Sequence, residues 1–398
     1  MEYIKLDDLC SIITDGTHQT PTYTKEGYTF LSSKNVTNKK IDWNNVKYIS
    51  KELHQELSKR ISPQKNDILL AKNGTTGVAA LVDRDDIFDI YVSLALLRPK
   101  SSIYPQYLLH VINSPITKRQ FDKNLKGIGV KNLHLKEIKN VLVPVPEYEI
   151  QKKIVKILDK AQILIDKRKE QIKYLDELVK SKFIEMFGNP FDTTKWTIKK
   201  LKEISTSISD GSNIDKKYYQ KHGEVLFLRI QNVWCNEFRL EDSVYISENV
   251  NQDYIDTSLR KGDLLITKIG RFYTKDSSLG RVSLYLGEND KANYSNNIMR
   301  VRLKDEVLSE YINSLLNLDD YNQYIRRVSV GGTDKRALSK TLIGDFPIIV
   351  PPMELQKKFI DFVNQVDKLK FEMEKSLEEL ENNFNSLLQK SFLGELFK

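Results

Sequence analysis

Pro144-Val145-Pro146-Glu147-Tyr148-Glu149-Ile150-Gln151-Lys152-Lys153-Ile154 organises the chain, because a second version follows: Val350-Pro351-Pro352-Met353-Glu354-Leu355-Gln356-Lys357-Lys358-Phe359. Gln151 and Gln356 are 205 positions apart. Each stretch closes an apolar, proline-bearing segment (141–146 and 346–352) and opens a long run rich in charge. The first run has no Gly or Pro until Gly188 and carries apolar residues three and four apart. That is the spacing of one helical face. Ile154, Leu158, Ala161, Ile165, Ile172, Leu175 and Val179 form its seam, broken at Arg168 and Lys182. The second run answers with Phe359, Val363, Val366, Met373, Leu377, Leu380 and Phe384. About forty helical residues span roughly 60 Å. Two such seams in one chain most economically pack on each other.

Upstream of each helix the similarity continues. Leu6-Asp7-Asp8-Leu9 leading to Asp15-Gly16 is answered by Leu201-Lys202-Glu203-Ile204 leading to Asp210-Gly211, so that Gly16 and Gly211 lie 195 apart. Leu31-Ser32-Ser33-Lys34-Asn35-Val36 matches Leu228-Arg229-Ile230-Gln231-Asn232-Val233, and Asp67-Ile68-Leu69-Leu70 matches Asp263-Leu264-Leu265-Ile266. Ordered matches at nearly constant offset mean duplication. Within a copy, Asp67–Ala71 and Ile90–Leu97 read as apolar strands, and 105–112 and 308–315 as helices, the last with Ser309 as an early cap. The expected fold class is therefore α+β, with two mixed domains and two long helices.

The 398 residues exceed one ordinary core. A net charge of +8 favours a polyanionic partner without demonstrating one. Two cysteines, Cys10 and Cys235, and five scattered histidines carry no metal-ligand spacing. His18 follows Asp15-Gly16, but Asn213 stands at the equivalent place, so it reads as a turn residue. No Gly-x-x-x-x-Gly-Lys-Ser/Thr loop occurs for ATP. The start of the chain lacks the layout of a signal peptide, and no apolar run reaches membrane-spanning length, so a cytoplasmic location is expected.

The two Pro-x-Pro/Pro-Pro…Gln-Lys-Lys stretches, together with Asp15-Gly16-Thr17-His18, Asp67-Ile68-Leu69-Leu70 and Leu175-Asp176-Glu177-Leu178, resemble the specificity subunits of type I restriction-modification systems over essentially the whole chain. That resemblance implies two target recognition domains, 1–146 and 196–351, and two antiparallel spacer helices forming a coiled coil, 147–187 and 352–398, with a linker at 188–195. It implies a non-catalytic reader of a bipartite DNA site that docks two methyltransferase subunits and restriction subunits. S-adenosylmethionine, ATP and Mg would then be bound by the partners. Asn189-Pro190-Phe191 is similar to the Asn-Pro-Pro-aromatic motif of adenine methyltransferases, yet it lacks the second proline and reads as a turn. The alternative, an enzyme with its own methyltransferase or nuclease activity, requires a cofactor or metal motif that the sequence does not display.

Reading DNA takes Arg, Lys, Asn and Gln near base edges, with further cations on phosphates. Four regions qualify. Lys34 and Asn35 are placed like Arg229, Gln231 and Asn232; Lys72, Asn73 and Thr75 are placed like Lys268, Arg271 and Lys275. Lys126, Lys131 and Asn132 flank Gly127 and Gly129, and Thr333, Lys335 and Arg336 follow Gly331-Gly332. Each residue taken singly is equally well read as a solvated surface group. Because Asn73-Gly74-Thr75-Thr76-Gly77 answers to Ile269-Gly270-Arg271-Phe272-Tyr273, the two half-sites are expected to differ.

Overall fold

A computed structural model describes all residues except Thr75, 125–131, Lys275 and Lys398. Two compact units result. One comprises Met1–Lys169 with Lys375–Lys398, and the other Glu170–Glu374.

In the first unit, Cys10–Asp15, Leu94–Pro99, Ile68–Ala71 and Ala79–Leu81 lie in that order in a four-stranded antiparallel sheet. Its inner strands are apolar at every position over 68–71 and 94–97 because successive side chains serve two cores. Ile68, Leu70, Ala95 and Leu97 face the core shared with the helices, while Leu69, Ala71, Leu94 and Leu96 face a second core against Phe88 and Ile90. A smaller sheet holds Lys47–Ile49, Tyr28–Leu31 and Phe88–Ile90, the last two parallel. The apolar run 90–97, expected as one strand, is thus divided: Ile90 ends a strand of one sheet, a turn follows, and Leu94 begins a strand of the other. Ser93, in that turn, is the one mark of the division that the run carries.

The second unit repeats this topology strand for strand. Ser205–Asp210, Ile298–Leu303, Leu264–Thr267 and Val282–Leu284 form the larger sheet, and Val244–Ile246, Val225–Leu228 and Ala292–Tyr294 the smaller. In each copy the strand carrying the first proline pairs with the copy's opening strand, Leu142–Val145 with Glu2–Lys5 and Pro347–Val350 with Thr197–Lys200. The Asp-Gly glycines are dictated by crowding. A Cβ on Gly16 would lie 1.9 Å from the carbonyl oxygen of Ile90, and one on Gly211 2.3 Å from that of Ser295.

The long helices are Tyr148–Phe187 and Met353–Leu393. The second stops short of the expected residue 398 because Gly394 takes φ +76°, the left-handed conformation that ends a helix. Ser309 does not cap its helix: the capping position is Leu308, without a side-chain hydrogen bond.

Within the first unit, Ile154, Val155, Leu158 and Ile165 bury in one core with Phe384, Leu388 and Phe392, and Ala161, Leu377 and Leu380 pack around it. Within the second, Phe183 and Phe187 bury against Tyr311 and Phe359, joined by Val179 and Val363. Leu175 and Val366 are buried, and Ile172 and Met373 half-buried. Phe183 meets Phe359 while Asp176 meets Lys370 at 2.7 Å, so the helices run antiparallel there.

Gln151 and Gln356 are 1% and 0% exposed, which for an amide demands partners. Gln151 accepts from Tyr104 N–H at 2.7 Å and donates to the Pro146 carbonyl at 2.9 Å; Gln356 accepts from Leu308 N–H and donates to the Pro351 carbonyl, both at 2.9 Å. Gln356→Ala leaves a buried N–H and a buried C=O unpaired, at about 1–3 kcal/mol for each group. Thermal denaturation is expected to register a clear fall in melting temperature for Q356A, and none for Gln389→Ala on the exposed face of the same helix.

Candidate nucleic-acid interface

The equivalence of Lys34-Asn35 and Gln231-Asn232 is structural. Both asparagines end a one-turn 3-10 helix and are buried, at 6% and 1% exposure. The Asn35 Oδ1 accepts from Ser32 N–H at 2.9 Å and its Nδ2 donates to the Asn45 carbonyl at 3.0 Å. Asn232 accepts from Arg229 N–H at 3.0 Å and donates to the Arg239 carbonyl at 2.8 Å. With its amide spent on the backbone, each holds its short helix, and neither side chain is free to turn toward a base. Lys34 and Gln231 are exposed; Arg229 is half-buried and donates to the Asp242 carbonyl beside an open cavity of about 570 Å³.

Lys72 is corrected in the same way. Its Nζ is buried 2.6 Å from Asp15 Oδ2, and Arg60 reaches Oδ1 at 3.1 Å, with exposed His18 at 3.3 Å. Burial by itself would raise the Asp15 carboxyl, but the hydrogen bond and charge of Lys72, with His18 behind them, outweigh it and hold the group below its ordinary value. Lys268 pairs with Asp210 at the equivalent place, where the carboxylate is half exposed. A cation held by an internal carboxylate is not free for a phosphate. A second duplicated pair, missed from sequence, is Arg98 with Asp67 and Arg302 with Asp263, each bidentate at 2.7–2.8 Å. Its sequence signal is identical residues at both ends, Asp67 and Asp263 just before the matched strands and Arg98 and Arg302 within the neighbouring ones.

The remaining candidates converge on the loops beyond the larger sheet. In the second unit Ile269–Arg271, Lys335–Ala337 and Val330–Gly331 make a small antiparallel sheet, which joins two regions that sequence treated separately. Arg271 is exposed and only loosely opposed by Asp334 at 3.7 Å; Thr333 and Lys335 are exposed. Half-buried Arg336 lies 4.0 Å over the Phe272 ring. Arg326 donates to the Phe272 carbonyl at 2.7 Å, and buried Arg281 donates to the carbonyls of Ser277 and Asp276 at 2.9 and 2.6 Å. Both arginines brace this loop and neither was foreseen.

In the first unit, Leu133 N–H donates to the Lys72 carbonyl at 3.1 Å, which sets half-buried Asn132 beside half-buried Asn73. The Oδ1 atoms of Asn73 and Asn132 are buried without a hydrogen-bond partner among the described residues. Thr75, Lys126, Lys131 and Lys275 lie outside the described residues.

Each half of the chain thus presents polar loops on a rigid, duplicated frame, and each half separately matches one family model, the type I restriction modification DNA specificity domain, over residues 1–174 and 193–382. The chain belongs to this family. As a specificity subunit it selects DNA and is not the catalytic component. It is similar to the type I restriction enzyme StySPI specificity subunit of Salmonella potsdam, 20% identical over 96% of this chain and 86% of that one. It also resembles the MjaVIII specificity subunit of Methanocaldococcus jannaschii, 22% identical over 85% and 81%. A solved structure from work on complex assembly and conformational transition of the type I R-M system shares the fold, with a TM-score of 0.58 at 17% identity, over 99% of this chain and 98% of that one. The type I restriction-modification S subunit of M. genitalium gives 0.50 at 15% identity, over 98% and 96%. No helix among the described residues is long and apolar enough to cross a membrane.

Two variants separate frame from surface. Lys72→Ala strips Asp15 of its buried partner while Arg60 remains, so it is expected to destabilise the first unit by about 2–3 kcal/mol. Arg271→Ala is expected to change stability by less than about 0.5 kcal/mol and to weaken DNA binding at moderate salt in a filter-binding or anisotropy assay. Because the folded Asp15 value is depressed, its contribution to stability is present above the ordinary carboxylate pKa of about 3.9 and is lost as pH falls through the folded value. Denaturation midpoints followed from pH 6 downward are expected to fall less steeply for Asp15→Asn than for the unaltered protein.

Proposed function

We propose that residues 1–146 and 196–351 each read one half of a split, asymmetric DNA site. The long helices between and after them set the separation of the halves and dock the methyltransferase subunits, two per chain, with restriction subunits joining that assembly. S-adenosylmethionine would be held by the methyltransferase partners and ATP and Mg by the restriction partners, so that this chain contributes selection alone. The observation that carries the reading is one frame used twice with different loops. The strands Ile68–Ala71 and Ala79–Leu81 are joined through 71–78, eight residues between the paired Leu70 and Ala79. The matching strands of the second unit are joined through 267–281, fifteen residues between Ile266 and Val282. Equivalent frames orient two sets of side chains alike, and unlike loops make the two sequences read unlike. Two-domain readers of this kind match two half-sites on one duplex. Type I relatives are named as specificity subunits of restriction enzymes, which supports a partner-dependent role.

The test is genome-wide mapping of adenine methylation in cells carrying the cognate methyltransferase, with and without this chain. The expected result is a split motif with two unlike halves that appears only when the chain is present. A palindromic motif, or one independent of the chain, contradicts the reading.

A further inference from the structure

The connection 267–281 is seven residues longer than its counterpart, and the extra length forms a braced projection. At its end stands Tyr273, 75% exposed, the most exposed of the large apolar side chains among the described residues. Burying an aromatic ring is strongly favourable, so a folded chain leaves one this open only where something else covers it or nothing is within reach. Its neighbours define what would cover it. Arg271 precedes it with only a loose internal partner, Lys335 lies opposite Arg271 in the small sheet, and Arg336 stacks on Phe272 directly beside it. Phe272 and Tyr273 meet edge to face, 5.0 Å between ring centroids.

The loop is also prepared in advance. Arg326 and Arg281 tie down four of its carbonyls (Phe272, Thr274, Asp276 and Ser277), and the Ser278 hydroxyl donates to the Ile269 carbonyl at 2.7 Å. A Cβ on Gly270 would lie 2.3 Å from Leu279 N, so the strand leading to the tip is pressed against the returning chain. An aromatic ring carried on a rigid loop among cations suits a surface of alternating phosphates and base edges. Resting on the proposed function above, we infer that Tyr273 is a specificity-determining residue of the second domain, its ring packing on a base of the half-site while Arg271 and Lys335 hold the adjoining backbone. The matched segment of the first domain, Asn73-Gly74-Thr75-Thr76-Gly77, contains no aromatic residue, and Gly77 stands where the second domain has Tyr273. The contact is therefore confined to one half-site.

The experiment uses the full chain assembled with its methyltransferase subunits. Binding is measured to a duplex carrying the mapped methylation motif and to a random duplex of equal length, for the unaltered protein, Tyr273→Ala and Tyr273→Phe. For Y273A we expect a loss on the order of 10- to 100-fold on the motif duplex, little change on the random duplex, and relaxed methylation at bases of one half-site only. Y273F retains the ring and is expected to stay within about threefold of the unaltered protein, a rescue proportionate to losing only a hydroxyl. Because Tyr273 is 75% exposed, removing its ring leaves no buried cavity and Y273A is expected to melt with the unaltered protein. Equal losses on both duplexes, relaxation at both half-sites, or unchanged binding and motif would each overturn the inference. If the unaltered complex yields no split motif at all, the proposed function fails instead, which keeps the two failures distinct.

Discussion

A buried glutamine amide at the start of each long helix is the interaction on which the rest depends. Its oxygen holds the N–H at the head of the domain's own helix, Tyr104 or Leu308, and its nitrogen holds the carbonyl of the proline just behind it. A tyrosine completes the arrangement, with Tyr107 Oη donating to the Pro144 carbonyl at 2.9 Å and Tyr311 Oη to the Ile349 carbonyl at 3.1 Å. Buried carbonyls need donors, and at this joint the glutamine and tyrosine side chains supply them. Domain and spacer helix are thereby locked in direction where they join. Under the proposed function, in which the helices set the spacing between half-sites, stiffness is needed at this joint more than anywhere along the helix.

The frame outward from that joint is polar as well as apolar. Asp67 with Arg98, and Asp263 with Arg302, tie the loop before an inner strand to the neighbouring strand by two parallel hydrogen bonds, a geometry that fixes orientation as well as adding energy. Asp15 with Lys72, and Asp210 with Lys268, close the mouth of the sheet beneath the loops. Asn35 and Asn232 terminate their short helices through the backbone. These pairs recur because both units solve the same folding problem. The loops above them need not recur, since each would meet a different stretch of DNA.

That distinction separates the candidates paired inside the fold from those left at its surface. Lys72, Lys268, Asn35 and Asn232 were singled out because they match between copies and carry DNA-reading side chains, yet matching between copies marks a frame residue more than a reader. Arg271, Thr333 and Lys335, which have no identical counterpart, are the candidates that the structure leaves exposed. Tyr273 stands two residues after Arg271 in the sequence, but an aromatic in a mixed segment is ordinarily buried, and only the fold distinguishes the exception.

The sequence by itself determined the duplication, the α+β class and the two helical seams, because each follows from local period and repeated spacing: three-and-four for a helix face, Pro and Gln at a fixed offset for the joint. Only the tertiary structure decided which charges are spent inside the molecule, that the run 90–97 is shared between two sheets, and that regions 269–271 and 335–337 form one surface. Those facts depend on partners distant along the chain. A lysine next to a carboxylate in space and a lysine next to water are the same letter in sequence, and only the fold supplies the neighbour that tells them apart.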